Sequence, residues 1–343
     1  MGDFLRKNAC TPDTQLYLAA GVTCELSTNS TAIHAAARQS FFLSDDSREC
    51  PDFFLKLWVD QQIRGVQPWP KPYVRGLDHL VYLGFDAGSS IAVNLIAKSV
   101  IGRVSPQFAD DGDYWKRVVF PMLLSVIAGA AGVVELHCAC VASGGDGMLL
   151  AGPSGSGKST LAVALARMSF GFLSDDRTFC SDQGGELAAW GLLSDLKLRP
   201  EAGKWFPELK GPSSSKAEEG KPEIRLLPEN LSGVQRTRRC KPRCLVFLER
   251  SDAEAFLVRT ISKEEATQRL ESDLMAEVPE TRARQSAVIV RLVGLPRALL
   301  RYGGSPWSVA AKLAEYFEEI RRTATNPTAF PLPSDSSHFS FKS

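Results

Sequence analysis

The feature that most constrains this chain is a glycine-rich octapeptide at residues 152–159, Gly-Pro-Ser-Gly-Ser-Gly-Lys-Ser. It satisfies the pattern G-x-x-x-x-G-K-[ST] in full, a pattern that carries a physical meaning only between a strand and a helix. Both neighbours have that character, since residues 147–151 are a short apolar run and residues 161–168 are apolar and helix-favouring. We therefore predict a strand, a phosphate-binding loop, a helix and, at residues 170–174, a further strand.

Each part of this loop has a task in binding a purine nucleoside triphosphate together with Mg²⁺. Glycines let consecutive backbone N–H groups turn towards phosphate oxygens, and the following helix adds its positive N-terminal end. Lys158 is expected to reach the β and γ phosphates, and the Ser159 hydroxyl to ligate magnesium. The predicted nucleotide-binding residues are Gly152, Ser154, Gly155, Ser156, Gly157, Lys158, Ser159 and Thr160.

Two adjacent aspartates, Asp175 and Asp176, follow the predicted strand. Neighbouring carboxylates at this position can divide two tasks, since one can hold magnesium while the other accepts a proton from an attacking hydroxyl. Two negative charges this close also raise the pKa of one of them, which suits a general base. The competing interpretation is a solvated turn or a helix cap ahead of Arg177.

Charge and composition narrow the possible partners. Forty Lys and Arg against 39 Asp and Glu leave a formal net charge of +1, without the positive excess typical of nucleic-acid or anionic-membrane binders. Eight scattered cysteines favour a reducing cytoplasm, and the charged N-terminus indicates neither an export signal nor a lipid anchor. The apolar run at residues 118–134 is shorter than a bilayer span of about 20 residues and contains Pro121, which favours a buried helix.

The pattern along the chain predicts an α/β protein with a small N-terminal β-rich domain ahead of a phosphate-loop core. The predicted parts are an N-terminal extension at 1–71, a small α+β domain at 72–142, the phosphate-loop domain at 143–322 and a disordered tail at 323–343. Within them we predict strands at 80–85, 91–95, 133–142, 192–198, 244–248, 255–259 and 286–292, helices at 118–132 and 308–321, and a mobile loop at 211–222.

Three elements together resemble the catalytic core of the HPr kinase/phosphorylase family. They are His137, the loop at residues 152–159, and the sequence Ser174-Asp175-Asp176, in that order and spacing. Within that family the pattern is nearest to the smaller HPr-kinase-like proteins, some of which phosphorylate a serine in lasso-peptide precursors. The resemblance extends over about residues 73–322 and implies a phosphate-loop kinase core of the HPr kinase type.

This resemblance implies an ATP- and Mg²⁺-dependent serine kinase that acts on a peptide or protein. Asp175 corresponds to the catalytic base, Asp176 to its partner near the metal, Lys158 to the phosphate-binding lysine, and Arg199 to a basic residue of the site. His137 corresponds to a histidine ahead of the loop, although its apolar neighbours alone favour a core histidine. Because family members commonly assemble, a homo-oligomer is also implied.

Two positions depart from the family pattern. Thr160 stands where HPr kinases carry a glutamate, and Leu-Lys-Leu-Arg-Pro at residues 196–200 occupies the place of their Glu-Ile-Arg-Gly signature. Lys197 thereby replaces a carboxylate near the metal, which argues against the reverse phosphorylase reaction and against HPr as the substrate. Arg199 keeps the basic residue, with a surface arginine as the equal alternative.

Two other function classes stay open, and a third is disfavoured. A nucleotide-binding regulatory protein without phosphotransfer fits the changes at Thr160 and Lys197, and a small-molecule hydroxyl kinase can use the same core with another acceptor pocket. Residues 230–235 and 245–249 resemble parts of a transporter-type ATPase. That resemblance fails in detail, because Val234 breaks the glycine pair and Leu248 replaces the expected aspartate.

Two further features have competing interpretations. The basic run at residues 236–243 either steers an acidic substrate or is a solvated loop, and the solvated loop is favoured. We expect substrate choice to depend on this run and on residues 211–222. Four sulfurs are available to a zinc ion, but the first pair lies in an apolar run, so buried thiols are favoured; these cysteines are Cys138, Cys140, Cys240 and Cys244.

Overall fold

The computed structural model describes residues 10–44, 50–193, 195–209, 223–272, 274 and 278–325, which form a mixed α/β protein. The chain divides into two compact units: residues 1–133 with 275–285, and residues 134–274 with 286–343. The boundary therefore falls ahead of the predicted one at residue 142. All predicted site residues, from His137 to Arg199, belong to the second unit.

The first unit is built on one large sheet. Its strands are β1 (Asp13–Ala19), β2 (Val22–Thr28), β3 (Phe42–Leu43), β4 (Phe53–Val59), β5 (Tyr73–Leu77), β6 (Leu80–Gly84), β7 (Ser90–Asn94) and β8 (Ser99–Val104). Its helices are α1 (Thr31–Ser40), α2 (Pro106–Asp110), α3 (Gly112–Tyr114) and α4 (Phe120–Ile127), with a π-helical turn at Trp115–Val119. The sheet order is β3-β1-β2-β4-β8-β7-β6-β5.

The prediction of an N-terminal extension at residues 1–71 is wrong, because β1 to β4 lie in the same sheet as β5 to β8. The alternating pattern of β4 explains this: Phe53, Leu55 and Leu57 are buried, while the residues between them are more exposed. The small sheet predicted at residues 80–85 and 91–95 is observed as β6 and β7.

The remaining elements follow in chain order. The strands are β9 (Val133–Leu136), β10 (Cys138–Ser143), β11 (Asp146–Ala151), β12 (Gly171–Ser174), β13 (Thr178–Gln183), β14 (Glu186–Trp190), β15 (Leu196–Leu198), β16 (Ile224–Leu226), β17 (Gln235–Arg236), β18 (Arg239–Arg250), β19 (Phe256–Thr260) and β20 (Arg297–Tyr302). The helices are α5 (Lys158–Ala166), α6 (Lys263–Glu271), α7 (Pro279–Leu292) and α8 (Pro306–Thr325), with short 3-10 turns at Gly129–Ala131, Pro200–Lys204, Pro207–Leu209 and Pro228–Asn230.

The second sheet positions the glycine-rich loop at the end of a buried central strand. Strand β11 lies between β10, to which it is antiparallel, and β18, to which it is parallel; β20 is parallel to β18 on the far side. Alternate residues of β11 enter two different core clusters: Met148 and Leu150 pack with α5 and α8, whereas Leu149 packs with α6 and α7. This burial on both faces explains why the strand reads as a continuous apolar run.

Several sequence predictions can be compared directly with these elements. The strand ahead of the loop, the loop-to-helix transition and the strand at 170–174 are observed as β11, β11–α5 and β12, and the helix at 308–321 lies within α8. The strand predicted at 286–292 is wrong, because these residues belong to α7. Val288, Ile289 and Leu292 are buried while Val290 is 64% exposed, which is a helical stripe and not a strand alternation.

Two predictions fall outside the described residues: the mobile loop at 211–222 and the tail from residue 326 onwards. Residues 323–325 end helix α8. Among the residues that the structure describes, no helix combines the length and the apolar character needed to cross a membrane.

Candidate functional site

The glycine-rich loop begins where β11 ends, and its first glycine is required by close backbone packing. Gly152 has a positive φ of 151°, and a Cβ placed on it would lie 2.8 Å from the carbonyl oxygen of Leu248 on β18. The loop then turns through a hydrogen bond from the Ser156 N–H to the Pro153 carbonyl. The result is a tight backbone turn directly ahead of the N-terminus of α5.

The last glycine of the loop lies against a tyrosine from the distant strand β20. The Tyr302 hydroxyl donates a 2.5 Å hydrogen bond to the Ser156 carbonyl oxygen, and a Cβ on Gly157 would lie only 2.1 Å from that hydroxyl. Burial raises the pKa of Tyr302 to about 12, although nearby Arg250 opposes the shift. The hydroxyl therefore keeps its proton at neutral pH and acts as a donor that holds the loop.

Lys158 and Ser159 occupy the first turn of α5. Lys158 is 6% exposed, and its Nζ donates to the Gly152 carbonyl at 2.7 Å and to the Pro153 carbonyl at 3.4 Å. The Ser159 Oγ donates to the Asp175 carbonyl at 3.5 Å. The loop's cation and the hydroxyl are thus brought next to the end of β12.

The two aspartates after β12 have different surroundings. Asp175 is 5% exposed, and its Oδ2 accepts a 2.9 Å hydrogen bond from the Lys197 N–H. Burial raises the pKa of Asp175 to about 7; the Lys197 N–H opposes this shift and the Asp176 charge adds to it. Asp176 is half-exposed, and its Oδ1 lies 3.4 Å from the His137 Nε2. The pair therefore consists of one buried carboxyl with a raised pKa and one more exposed carboxylate.

His137 lies between β9 and β10 and its side chain is 44% exposed. The interpretation of His137 as a core histidine, which its apolar neighbours favoured, is therefore wrong. The neighbouring Leu136 and Cys138 are buried, while the His137 imidazole is exposed and its Nε2 lies 3.4 Å from the Asp176 Oδ1. The solvated-turn interpretation of the aspartates fails for Asp175 for a similar reason, since that carboxyl is buried.

A chain of hydroxyl groups holds the turn that carries the aspartates. The Thr178 Oγ1 donates to the Cys138 carbonyl at 2.8 Å and lies 2.5 Å from the Ser174 Oγ, so Ser174 is the donor in the second bond. Both side chains are buried. They connect the start of β10, next to His137, with the residues on either side of the Asp175–Asp176 pair.

A cavity of about 700 Å³ gathers most of the predicted residues. Those that line it are His137, Ser154, Gly155, Gly157, Lys158, Ser159, Thr160, Asp175, Asp176 and Arg199. Gly152 and Ser156 lie outside the lining, and Ser156 is buried beneath the loop. Arg199 reaches the loop itself, because its Nη2 donates to the Ser154 Oγ at 3.3 Å.

Other lining residues were missed by sequence reasoning. They are Leu198, Glu201, Ala202, Lys204, Trp205, Glu223, Arg225 and Arg250, together with Lys197, which was noted only as a departure. The strand predicted at 192–198 overlaps β15, but its partner β16 has only three residues, too few to show a periodic signal. Strand β20, which supplies Tyr302, was also missed.

The basic run at residues 236–243 is not part of this lining. Its residues belong largely to β17 and β18, where Lys241 lies 3.4 Å from Glu186 and Arg243 lies 2.6 Å from Asp146. It is therefore neither a solvated loop nor a wall of this cavity, and the prediction that it selects the substrate receives no support from its position.

Oxygen donors that suit magnesium lie beside the loop. The Ser159 hydroxyl and the Asp176 carboxylate line the same cavity, and Mg²⁺ prefers oxygen ligands while keeping several waters. These donors fit an ion that arrives with nucleotide phosphates. Among the described residues, no group of three or more His, Cys, Asp and Glu side chains is placed to hold a metal by itself.

The cysteine sulfurs do not converge on a zinc site. Cys138, Cys140 and Cys240 are buried in the core cluster on one side of the sheet, whereas Cys244 is buried in the cluster on the other side. Burial raises the pKa values of Cys140 and Cys244, which keeps both as neutral thiols.

Comparison with known proteins gives distant likenesses among solved structures. No protein-family model and no curated protein matches this chain. Among solved structures, the HPr(Ser) kinase/phosphatase from Coxiella burnetii is similar at 12% sequence identity and a TM-score of 0.31, over 57% of this chain and 96% of that one. A likeness this weak supports no conclusion about fold or function, so the site must be understood from its own geometry.

Proposed function

We propose that this protein is an ATP-dependent kinase that transfers the γ-phosphoryl group to a serine hydroxyl of a peptide or protein. The observation that carries this proposal is the placement of Asp175. A buried carboxyl with a pKa of about 7 shares one cavity with a glycine-rich loop and its lysine. Phosphoryl transfer to a hydroxyl requires at least a proton acceptor beside a phosphate-binding loop.

Asp175 is suited to deprotonate the acceptor. A group whose pKa lies near the working pH is partly ionised and still basic enough to take a proton as the hydroxyl attacks. Its Oδ2 is held by the Lys197 N–H, so the carboxylate has a defined orientation. Asp176 and His137 form the more exposed side of the site, where the imidazole is placed to orient the Asp176 carboxylate.

The groups that would bind the nucleotide phosphates are backbone N–H groups and one cationic side chain. The loop N–H groups and the N-terminal end of α5 favour negative charge, and the Lys158 ammonium lies at the mouth of the loop. Ser159 and Asp176 would hold a magnesium ion, which would neutralise phosphate charge when bound. In-line transfer then requires the acceptor hydroxyl to lie between Asp175 and the γ-phosphate.

The proposal is tested by phosphorylation of serine-containing peptides encoded beside the gene, including any small precursor peptide. With γ-³²P-labelled ATP and Mg²⁺, we expect label on one such peptide. Asp175→Asn should abolish transfer while ATP still binds, and Lys158→Ala should weaken ATP binding itself. Asp110→Asn, at an exposed position on α2, is the matched control and should behave as the wild type.

Two results would contradict the serine-kinase proposal. If ATP binds through Lys158 but no peptide or small hydroxyl compound gains phosphate, the chain is a nucleotide-binding regulatory protein. If small hydroxyl compounds gain phosphate and peptides do not, it is a small-molecule kinase. Unchanged transfer by Asp175→Asn would show that another group is the base.

A further inference from the structure

One part of the cavity lining is a short two-stranded ribbon with one apolar and one cationic face. Leu196 and Leu198 of β15, with Ile224 and Leu226 of β16, pack into the core cluster. Lys197 and Arg225 lie between these residues, pair directly across the two strands, and both line the cavity. Side chains alternate along a strand, so both cations share the face that looks into the cavity.

Two like charges in directly opposite positions are unfavourable, because their Cβ atoms lie about 5 Å apart. Among the residues that the structure describes, the carboxylate partner of Arg225 is Glu223: the Arg225 Nε and Nη2 both lie 3.3 Å from the same oxygen, Oε2. This is not the two-oxygen bidentate pairing that satisfies a guanidinium best. The Arg225 side chain is nevertheless only 10% exposed, so it has lost most of its contact with water.

The ribbon is also joined to the proposed base. The Lys197 N–H donates to the Asp175 Oδ2 at 2.9 Å. One residue of the cationic pair is therefore hydrogen-bonded, through its backbone, to the carboxyl that would receive the acceptor's proton. Another basic side chain of the cavity lining, Lys204, stacks on Trp205 with its Nζ 5.0 Å from the ring centroid. The nucleotide phosphates have their own cation in Lys158 and their own N–H groups in the loop.

We infer that the phosphate acceptor carries an anionic oxygen group, a carboxylate or a phosphate, close to its reacting hydroxyl, and that Lys197 and Arg225 bind this group. The inference rests on the proposed kinase function and names the acceptor class for it. An oxyanion between the two side chains cancels their mutual repulsion and offers Arg225 the pair of oxygens that its contact with Glu223 does not provide. No covalent step is added, because the anionic group serves only to orient the hydroxyl towards Asp175.

Calorimetric titration of inorganic phosphate into protein saturated with Mg²⁺ and the non-hydrolysable ATP analogue AMP-PNP tests this inference. The analogue fills the loop, so a further phosphate must bind elsewhere. We expect saturable binding that is weakened about tenfold or more by Arg225→Gln and by Lys197→Gln, since each removes a charge-assisted contact. Acetate titrated in the same way separates a carboxylate site from one that selects phosphate.

Two further variants make the result specific. Glu223→Gln removes the carboxylate that competes for Arg225, so it should tighten phosphate binding, by about threefold. Arg259→Gln removes an exposed arginine that pairs with Glu265 outside the cavity, and it should change nothing. AMP-PNP affinity should stay within about twofold of the wild type in all variants, which also shows that they fold.

Absence of saturable binding of both anions, or binding that neither Arg225→Gln nor Lys197→Gln weakens, would overturn the anion site while leaving the kinase proposal intact. If AMP-PNP itself does not bind, the kinase proposal fails. The anion site is then decided by phosphate titration of Lys158→Ala without nucleotide, where sensitivity to Arg225→Gln supports the site and insensitivity overturns it.

Discussion

At the residue scale, the buried Asp175 couples stability to pH. Its pKa of about 7 in the folded chain exceeds the ordinary 3.8, so between these values the folded chain keeps a proton that the unfolded chain releases. The contribution of the buried neutral carboxyl to the free energy of unfolding is fully present below pH 3.8. It decreases by up to about 1.4 kcal/mol per pH unit and is lost as the pH rises through 7.

Asp175→Asn should therefore gain stability over the wild type as the pH rises. The amide stays neutral, and its oxygen can still accept the Lys197 N–H. Between pH 5 and pH 8 we expect the difference in unfolding temperature to shift by roughly 5 °C in favour of the variant. Thermal unfolding of both proteins at four pH values measures it. A difference independent of pH would mean that Asp175 is ionised throughout that range.

Tyr302 is the second residue whose chemistry can be isolated. Tyr302→Phe keeps the ring but removes the hydroxyl that donates to the Ser156 carbonyl, so the loop should lose its fixed curvature. Since one hydrogen bond contributes about 1 kcal/mol, we expect ATP affinity to fall about fivefold. Tyr316→Phe on α8 is the matched control and should leave nucleotide binding unchanged. Equal losses in both variants would indicate a general effect of removing a tyrosine hydroxyl.

At the element scale, the aspartate turn depends on the hydroxyl chain from Ser174 through Thr178 to the Cys138 carbonyl. Thr178→Val keeps the volume but removes the hydroxyl that donates to that carbonyl, at a cost of about 1–3 kcal/mol. This turn contains Asp175, whereas the glycine-rich loop is a separate segment. We therefore expect kcat to fall more than the affinity for ATP. Steady-state kinetics and nucleotide titration separate the two effects. Thr260→Val, at an exposed position on β19, should change neither.

The elements that sequence reasoning predicted are those whose signal is local. The β10–β11 hairpin, the loop, α5 and β12 are consecutive in the chain, and each has a pattern of its own. Tyr302 contacts a loop residue 146 positions earlier, and Lys197 meets Arg225 across a ribbon formed by separate segments. Such contacts arise from strand pairing between distant segments, which no local periodicity reveals. The β-branched run in α7 was misread because its burial is decided by packing.

At the scale of the whole molecule, the boundary between the two units also depends on strand pairing between distant segments. A boundary at residue 142 assigns β10 to the wrong domain, although β10 pairs with both β11 and β12. A chain that begins at residue 143 would leave those two strands without the strand between them. The true division at residue 133 depends on which sheet each strand joins, and only the assembled sheets show this.

Because every cavity-lining residue belongs to the second unit, nucleotide should protect that unit alone. With Mg²⁺ and AMP-PNP at about 100 times Kd, binding stabilises the liganded unit by about 2.7 kcal/mol. Hydrogen exchange should slow in peptides covering residues 150–176 and 196–205, and should stay unchanged across β1 to β8. Lys158→Ala should abolish the protection at the same nucleotide concentration. Protection that extends equally into β1 to β8 would show that the two units respond to nucleotide as one, because exchange in the first sheet has no ligand contact of its own to slow it.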